Sequence, residues 1–239
     1  MSAGAEVFQS AILAAEEPAR EVRSATCAPA TSEWADKFAQ EQLRSLVRRV
    51  FFPGWPRPAK QVVFAGVEEG GQAAAVCWQA AQILVQEVPG TVALVEAATR
   101  SRELEKLTLI QEREWSESPG SFEVPCKRLA KRLFAVPAGA LGERVGDECT
   151  SAWLRDRIHQ MRHDFDYCIV HAPALGRSSQ PALLGQLCDG VVLVLEAQRT
   201  RRASALQAQK VLRDANARLI GTVLSRRQFP IPEGLYRRL

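Results

Sequence analysis

The residues best placed to do chemistry in this 239-residue chain lie in one glycine-rich turn. Gly66, Gly70 and Gly71 fall between a β-branched and aromatic run, Val62-Val63-Phe64, and an alanine-rich stretch that continues without a breaker from Ala73 to Glu87. The pattern predicts strand, glycine loop, helix. In that frame the backbone N–H groups of the turn and of the helix N-terminus converge on an anion, as in a phosphate-binding loop. The side chains that would turn binding into phosphoryl transfer are missing. A working loop carries a lysine for the β- and γ-phosphates and a Ser or Thr hydroxyl for magnesium. Here it reads Gly70-Gly71-Gln72-Ala73-Ala74-Ala75. A final glycine at Gly71 puts Gln72 at the lysine position, and a shift by one residue puts Ala73 there. Neither register supplies an ammonium or a hydroxyl. The stretch also fits any strand-turn-helix unit of an α/β protein, where glycine is favoured for steric reasons.

Other constellations carry less. His159 and His163 are four apart and could share a helical face as zinc ligands, but no Glu follows the first as in H-E-x-x-H. They read as an exposed helical end, and no metal site is expected. No Ser-His-Asp or Cys-His arrangement is supported. The six cysteines, at 27, 77, 126, 149, 168 and 188, form no C-x-x-C pair. Within elements such residues act as small apolar groups, and the usage favours a reducing compartment. With 31 basic and 27 acidic residues the net charge is +4, too small to argue for nucleic acid. Basic residues crowd the region from Arg199 onward, including Arg201, Arg202, Arg226 and Arg227, and read as a solvated face. No apolar run approaches the ~18 residues of a membrane span, and residues 11–15 lack a basic flank, so neither anchor nor secretory signal is indicated. A cytoplasmic protein is expected.

The elements that must position the turn follow from hydrophobic patterning. Residues 1–31 read as a poorly ordered leader with one short amphipathic helix at 5–17. Residues 32–58 hold a helix capped by Ser32 and stopped by Pro53-Gly54-Trp55-Pro56. The core domain spans 59–226. Apolar runs at 62–64, 91–95, 133–136, 165–171, 190–195 and 219–224 predict five or six strands, with helices at 73–87, 149–162, 181–187 and 200–216. Residues 101–125 are polar and mixed. Strands alternating with helices predict a doubly wound, mainly parallel α/β sheet. Ligands in such sheets bind outside the carboxyl ends of the strands, so a second site element is expected at Glu96 to Arg100. The tail, 227–239, alternates apolar anchors with prolines and reads as a docking segment.

Taken together, several segments resemble the bacterial tyrosine kinases of capsule and exopolysaccharide synthesis, a branch of the MinD/ParA-like P-loop ATPases. Residues 41–46, with Glu41 and Arg44, look like the E-x-x-R-x-L helix that mediates ring assembly there. Residues 66–75 fall where the first Walker motif lies, VALVEAATR (92–100) resembles the second, usually VLLIDADLR, and 133–139 look like the strand ending Val-Leu-Pro-Ala-Gly. FDYCIVHAP (165–173) resembles the Walker B strand YDYVIIDTP, and Cys188-Asp189-Gly190 with VVLVLEAQRTRR is similar to the ADGVVLVV segment. The likeness runs from about Glu41 to Arg226.

The departures fall on the chemistry. By the resemblance, the Walker A lysine is Gln72 or Ala73, the magnesium-binding hydroxyl is an alanine, and the Walker B aspartate is His171. Of two acidic positions in the Walker A′ strand, one survives as Glu96 and the other is Ala98. His171 reads either as a relic of the lost metal position or as a local hydrogen-bonding residue. Gly66, Gly70, Gly71, Gln72, Ala73 and Ala74 are then a vestigial nucleotide loop, in which ATP and magnesium would be held weakly if at all. The family's tyrosine cluster is absent, leaving Tyr236 as a candidate phosphoacceptor. The resemblance implies a degenerate regulatory or assembly partner in polysaccharide export. Its implied partners are a membrane-embedded chain-length regulator of the polysaccharide co-polymerase type, which would bring it to the inner membrane, and copies of itself through Glu41 and Arg44. Two alternatives stand beside this reading: an active ATP-dependent tyrosine autokinase, with the missing cation supplied by Arg100 or by a neighbouring protomer, and a ParA/MinD-like positioning ATPase.

Overall fold

A computed structural model describes residues 31–52, 58–70, 72–98, 103–104, 122–141 and 151–226. The expectations placed on residues 1–30, Gly71, Arg100, Tyr236 and the 227–239 tail lie outside the described residues. The elements in chain order are α1 (Thr31–Phe51), β1 (Gln61–Gly66), α2 (Ala73–Glu87), β2 (Val92–Glu96), β3 (Lys127–Ala130) and β4 (Leu133–Val136). A 3-10 turn (Ala138–Leu141) follows, and then α3 (Ser151–Asp164), β5 (Tyr167–Ala172), α4 (Gln180–Leu187), β6 (Gly190–Glu196), α5 (Arg202–Asp214) and β7 (Leu219–Ser225).

The seven strands form one sheet in the order β3-β4-β2-β5-β1-β6-β7. Every neighbouring pair is parallel except β3 with β4. The central strands read as unbroken apolar runs because both their faces are covered. Alternate residues divide between two cores. Val62, Phe64, Leu94, Ile169 and Val192 point to one face, where they meet Leu43, Val47 and Val50 of α1 and Cys77, Ala80 and Leu84 of α2. Val63, Val95, Val170 and Leu193 point to the other, against Ile158 of α3, Leu184 of α4 and Leu212 of α5. Each fully buried aliphatic side chain contributes ~1.5–3 kcal/mol, so the sheet centre fixes the strand register that sets the site.

Two glycines have backbone reasons to be glycine. Gly70 in the loop after β1 has φ +67°, and Gly190 at the start of β6 has φ +154° with the Arg218 carbonyl 2.6 Å from where a Cβ would stand. The structure corrects the strand count: β3, reading Lys-Arg-Leu-Ala and only half-buried, carries no apolar run to announce it.

Cys77, Cys126, Cys168 and Cys188 are all buried free thiols. Burial pushes Cys168 up to about 12 and Cys126 up to about 11, and raises Cys77 and Cys188 as well. A thiol raised in the folded state favours the folded chain below the ordinary thiol range near 9, and this contribution is lost as pH rises toward about 11 to 12. Because the thiolate is the nucleophile, none of the four is expected to react with an aromatic disulfide reagent in the native chain at pH 8, and all four should react in guanidinium. Labelling of any one of them in native buffer, mapped by peptide mass, would contradict this packing.

Candidate functional site

The carboxyl ends of β1, β2, β5 and β6 converge on one rim of the sheet, and the β1–α2 loop closes over it. Leu175 and Gly176, just after β5, donate backbone N–H groups to the carbonyls of Gly66 and Val67 at 3.0 and 3.1 Å, tying the loop's start to the neighbouring strand. Its far side is held by arginine. Arg199 donates from Nη2 to the Glu69 carbonyl at 3.0 Å and from Nη1 to the Gly70 carbonyl at 3.3 Å. Its Nε lies 3.8 Å from Glu68 Oε2, and its Nη1 lies 3.3 Å from Glu196 Oε2. Arg177, after β5, pairs with Glu69 Oε2 at 2.6 Å. Among the described residues, the two arginines beside this loop therefore bind its carbonyls and carboxylates and the nearby Glu196.

The loop borders a cavity of about 630 Å³, lined by Gly66, Gly70 and Ala73 together with Ala98, Glu103 and His171. Helix α2 begins at Ala73 with no side-chain cap on its N-terminus and no acid in its first turn. Gln72, at one of the two lysine positions, does not line this cavity. It borders a separate space of about 10 Å³ with Glu68, Glu196, Arg199 and Thr200. With its amide oxygen toward the guanidinium, Gln72 accepts from Arg226 at 2.8 Å. Ala73 and Ala98 line the main cavity as bare methyl groups, so neither offers the hydroxyl or carboxylate that magnesium would need.

Glu96 and His171 occupy opposite positions in the β2–β5 register, 75 residues apart in sequence. His171 Nδ1 lies 2.7 Å from Glu96 Oε1, and the two residues are only 3% and 1% exposed. The same Glu96 oxygen accepts the Ala98 N–H at 2.9 Å, and Oε2 accepts the Leu104 N–H at 2.8 Å. Glu96 therefore spends its acceptors on its own chain. A carboxylate only accepts, so Nδ1 is the donor, and in the neutral ring Nε2 is left as an acceptor. That atom stands 4.0 Å from Glu103 Oε2. Burial, and then the charges of Glu96 and Glu103, raise the nearby Cys77 thiol.

The other expected residues lie apart from this rim. Glu41 and Arg44 sit on α1, where Arg44 is 3.6 Å from Glu41 and 3.5 Å from Glu87 of α2. His159 and His163 are exposed on α3. Among the described residues no group of three His, Cys, Asp or Glu side chains suits a metal ion, and no helix is long and apolar enough to cross a membrane. Sequence reasoning does not single out Arg177, Glu103 or Glu196, and it places Arg199 on a solvated face, although Arg199 binds the loop carbonyls. A charged residue at the end of an apolar strand run was the available signal for Glu196, while Arg199 stands only at the head of that basic region.

No family model matches the chain. It is 26% identical over 104 residues to the tyrosine-protein kinase CpsD of Streptococcus agalactiae, covering 44% of this chain and 45% of that protein. The match thus spans under half the length of that curated relative. Among solved structures, the VpsO kinase domain superposes with a TM-score of 0.66 at 16% identity, over 82% of this chain and 99% of that one. A chain of the MinC:MinD cell division protein complex of Aquifex aeolicus gives a TM-score of 0.55 at 16% identity, over 75% of this chain and 72% of that one. The fold is that of the MinD/ParA-like P-loop ATPases and of the bacterial tyrosine-kinase domains.

Proposed function

We propose that this chain is a non-catalytic, tyrosine-kinase-like P-loop protein that acts as a regulatory or assembly partner in capsule or exopolysaccharide synthesis. The homology to CpsD supports the setting. The observation that carries this reading is His171, which stands where the resemblance puts the Walker B aspartate and ties up the buried Glu96 carboxylate through Nδ1. Phosphoryl transfer rests on positioning and on cations that neutralise charge spread over the γ-phosphoryl oxygens. In this rim the described guanidinium groups neutralise Glu68, Glu69 and Glu196 instead. Imidazole is a poor partner for magnesium, which prefers hard oxygen ligands. The residues present do not fit a magnesium–triphosphate complex.

In this role the chain would work through contacts: with a membrane-embedded chain-length regulator, and with its own copies through the α1 face that carries Glu41 and Arg44. The purified chain with radiolabelled ATP and magnesium should show neither phosphate release nor transfer to itself. Label on Tyr236 at a rate typical of kinases, abolished by Tyr236→Phe, would establish the autokinase alternative in its place.

A further inference from the structure

The sheet ends on two unlike edges. On one side β3 is only four residues long, carries Lys127 and Arg128, and shifts register between Arg128 and Ala130. Short, charged and kinked edges resist pairing with another chain. On the other side β7 runs for seven residues as Leu-Ile-Gly-Thr-Val-Leu-Ser, with neither charge nor proline. Its one register shift lies before Gly221, so residues 221–225 pair regularly with β6. Among the described residues no strand lies beyond it.

The bonds to β6 identify the groups on the outer side. The Ala197 N–H donates to the Ser225 carbonyl at 2.9 Å, so Ser225 turns its backbone groups toward β6. Successive residues alternate sides along a strand. Val223 therefore turns inward as well, and the N–H and C=O groups of Thr222 and Leu224 face outward. These two are also the exposed residues of the strand, Leu224 at 55%. Outward backbone groups on a regular, uncharged strand are a template for one more strand.

Charge selects the occupant. Arg218 precedes β7 and Arg226 follows it, the latter 4.0 Å from Glu196 Oε2 yet with 59% of its side chain exposed. Helix α5 packs against β7 and adds the exposed Arg202, Lys210 and Arg213. Asp214 is the one acid in residues 197–226. A second copy pairing edge to edge would bring two such basic surfaces together, which repulsion opposes. The chain's own residues 227–239 repeat the charge with Arg227, Arg237 and Arg238 against Glu233, and Pro230 and Pro232 lack the donors a ladder needs. We infer that the outer edge of β7 is a docking site for an extended, acidic segment of a partner protein, which adds a parallel or antiparallel strand to the sheet. This inference does not depend on the non-catalytic reading.

The test is fluorescence anisotropy on the full chain with a fluorescein-labelled peptide of alternating glutamate and valine, long enough to span β7. Two controls separate its parts. The same peptide with methylated backbone nitrogens keeps the charge without the donors, and a lysine-for-glutamate peptide reverses the charge. Saturable binding of the acidic peptide, at least ~tenfold tighter than either control, is the expected result. The bound peptide should also slow amide hydrogen exchange at Thr222 and Leu224, read by NMR. Leu224→Glu changes an exposed side chain, so it should keep the native circular dichroism spectrum and weaken binding at least ~tenfold. No binding, equal binding of either control, binding unchanged in Leu224→Glu, or protection confined to residues away from β7 would each overturn the proposal. So would slow exchange of the same two amides in the chain alone. That result would mean that the edge is already held, by a second copy if the protection grows with protein concentration and by the chain's own residues if it does not.

Discussion

Titrated with ATP and magnesium, the natural chain is expected to give no saturable heat, while the combined Gln72→Lys, Ala73→Ser, His171→Asp variant binds at least ~10²-fold more tightly. The difference has three physical sources. The lysine supplies a charge-assisted contact to the phosphates, the serine supplies a hydroxyl to magnesium, and the aspartate supplies a hard-oxygen acid beside Glu96. The three act as a unit, so single changes should recover little. Gln72→Lys alone should recover least, because the side chain at this position borders the small space that holds Glu196, whose buried Oε1 has no partner and competes with phosphate for the new ammonium until magnesium and its ligands also hold the nucleotide. Tight magnesium-dependent binding by the natural chain would show that the site has been rebuilt in a form that dispenses with these groups.

How much of this was legible in the sequence depended on whether a residue's role was local. The central strands announced themselves because Val92–Glu96 and Gly190–Glu196 are buried on both faces and must be apolar almost throughout. The glycine turn was legible because Gly70 needs a left-handed φ. Strand β3 was hidden because a short antiparallel edge strand can carry Lys127 and Arg128 without loss. Phe165, read as the first residue of the β5 strand, precedes it and packs against Phe122 and Phe134. The site was harder still. Glu96 and His171 were visible as departures at two separate strand ends, but their pairing follows from strand register, which only the whole sheet sets. The same holds for Arg199, whose partners Glu69 and Gly70 lie about 130 residues away.

Glu96→Ala is expected to lower the unfolding free energy by about 3–5 kcal/mol, which makes it among the most damaging single changes available in this rim. The wild-type carboxylate accepts from three donors: the Ala98 N–H, the Leu104 N–H and His171 Nδ1. Truncation orphans all three at once, two of them backbone groups that have no alternative rotamer. Each buried donor left without a partner costs ~1–3 kcal/mol, and water entering from the adjacent cavity recovers part of the sum, which sets the lower end of the range. The opposing effect is relief of a buried charge, which in an unpaired site would make the substitution stabilising. It should lose here because the charge is already solvated by those three N–H groups. Glu96→Gln keeps one acceptor oxygen and should cost less, about 1–3 kcal/mol. Urea unfolding at pH 7 should show a lower midpoint with an unchanged slope. In a double-mutant cycle with His171→Ala, the two losses should fall short of adding, because the imidazole donor is removed only once. A loss under about 1 kcal/mol for Glu96→Ala, or full additivity in the cycle, would mean that the pair does not hold the ends of β2 and β5 together as the geometry requires.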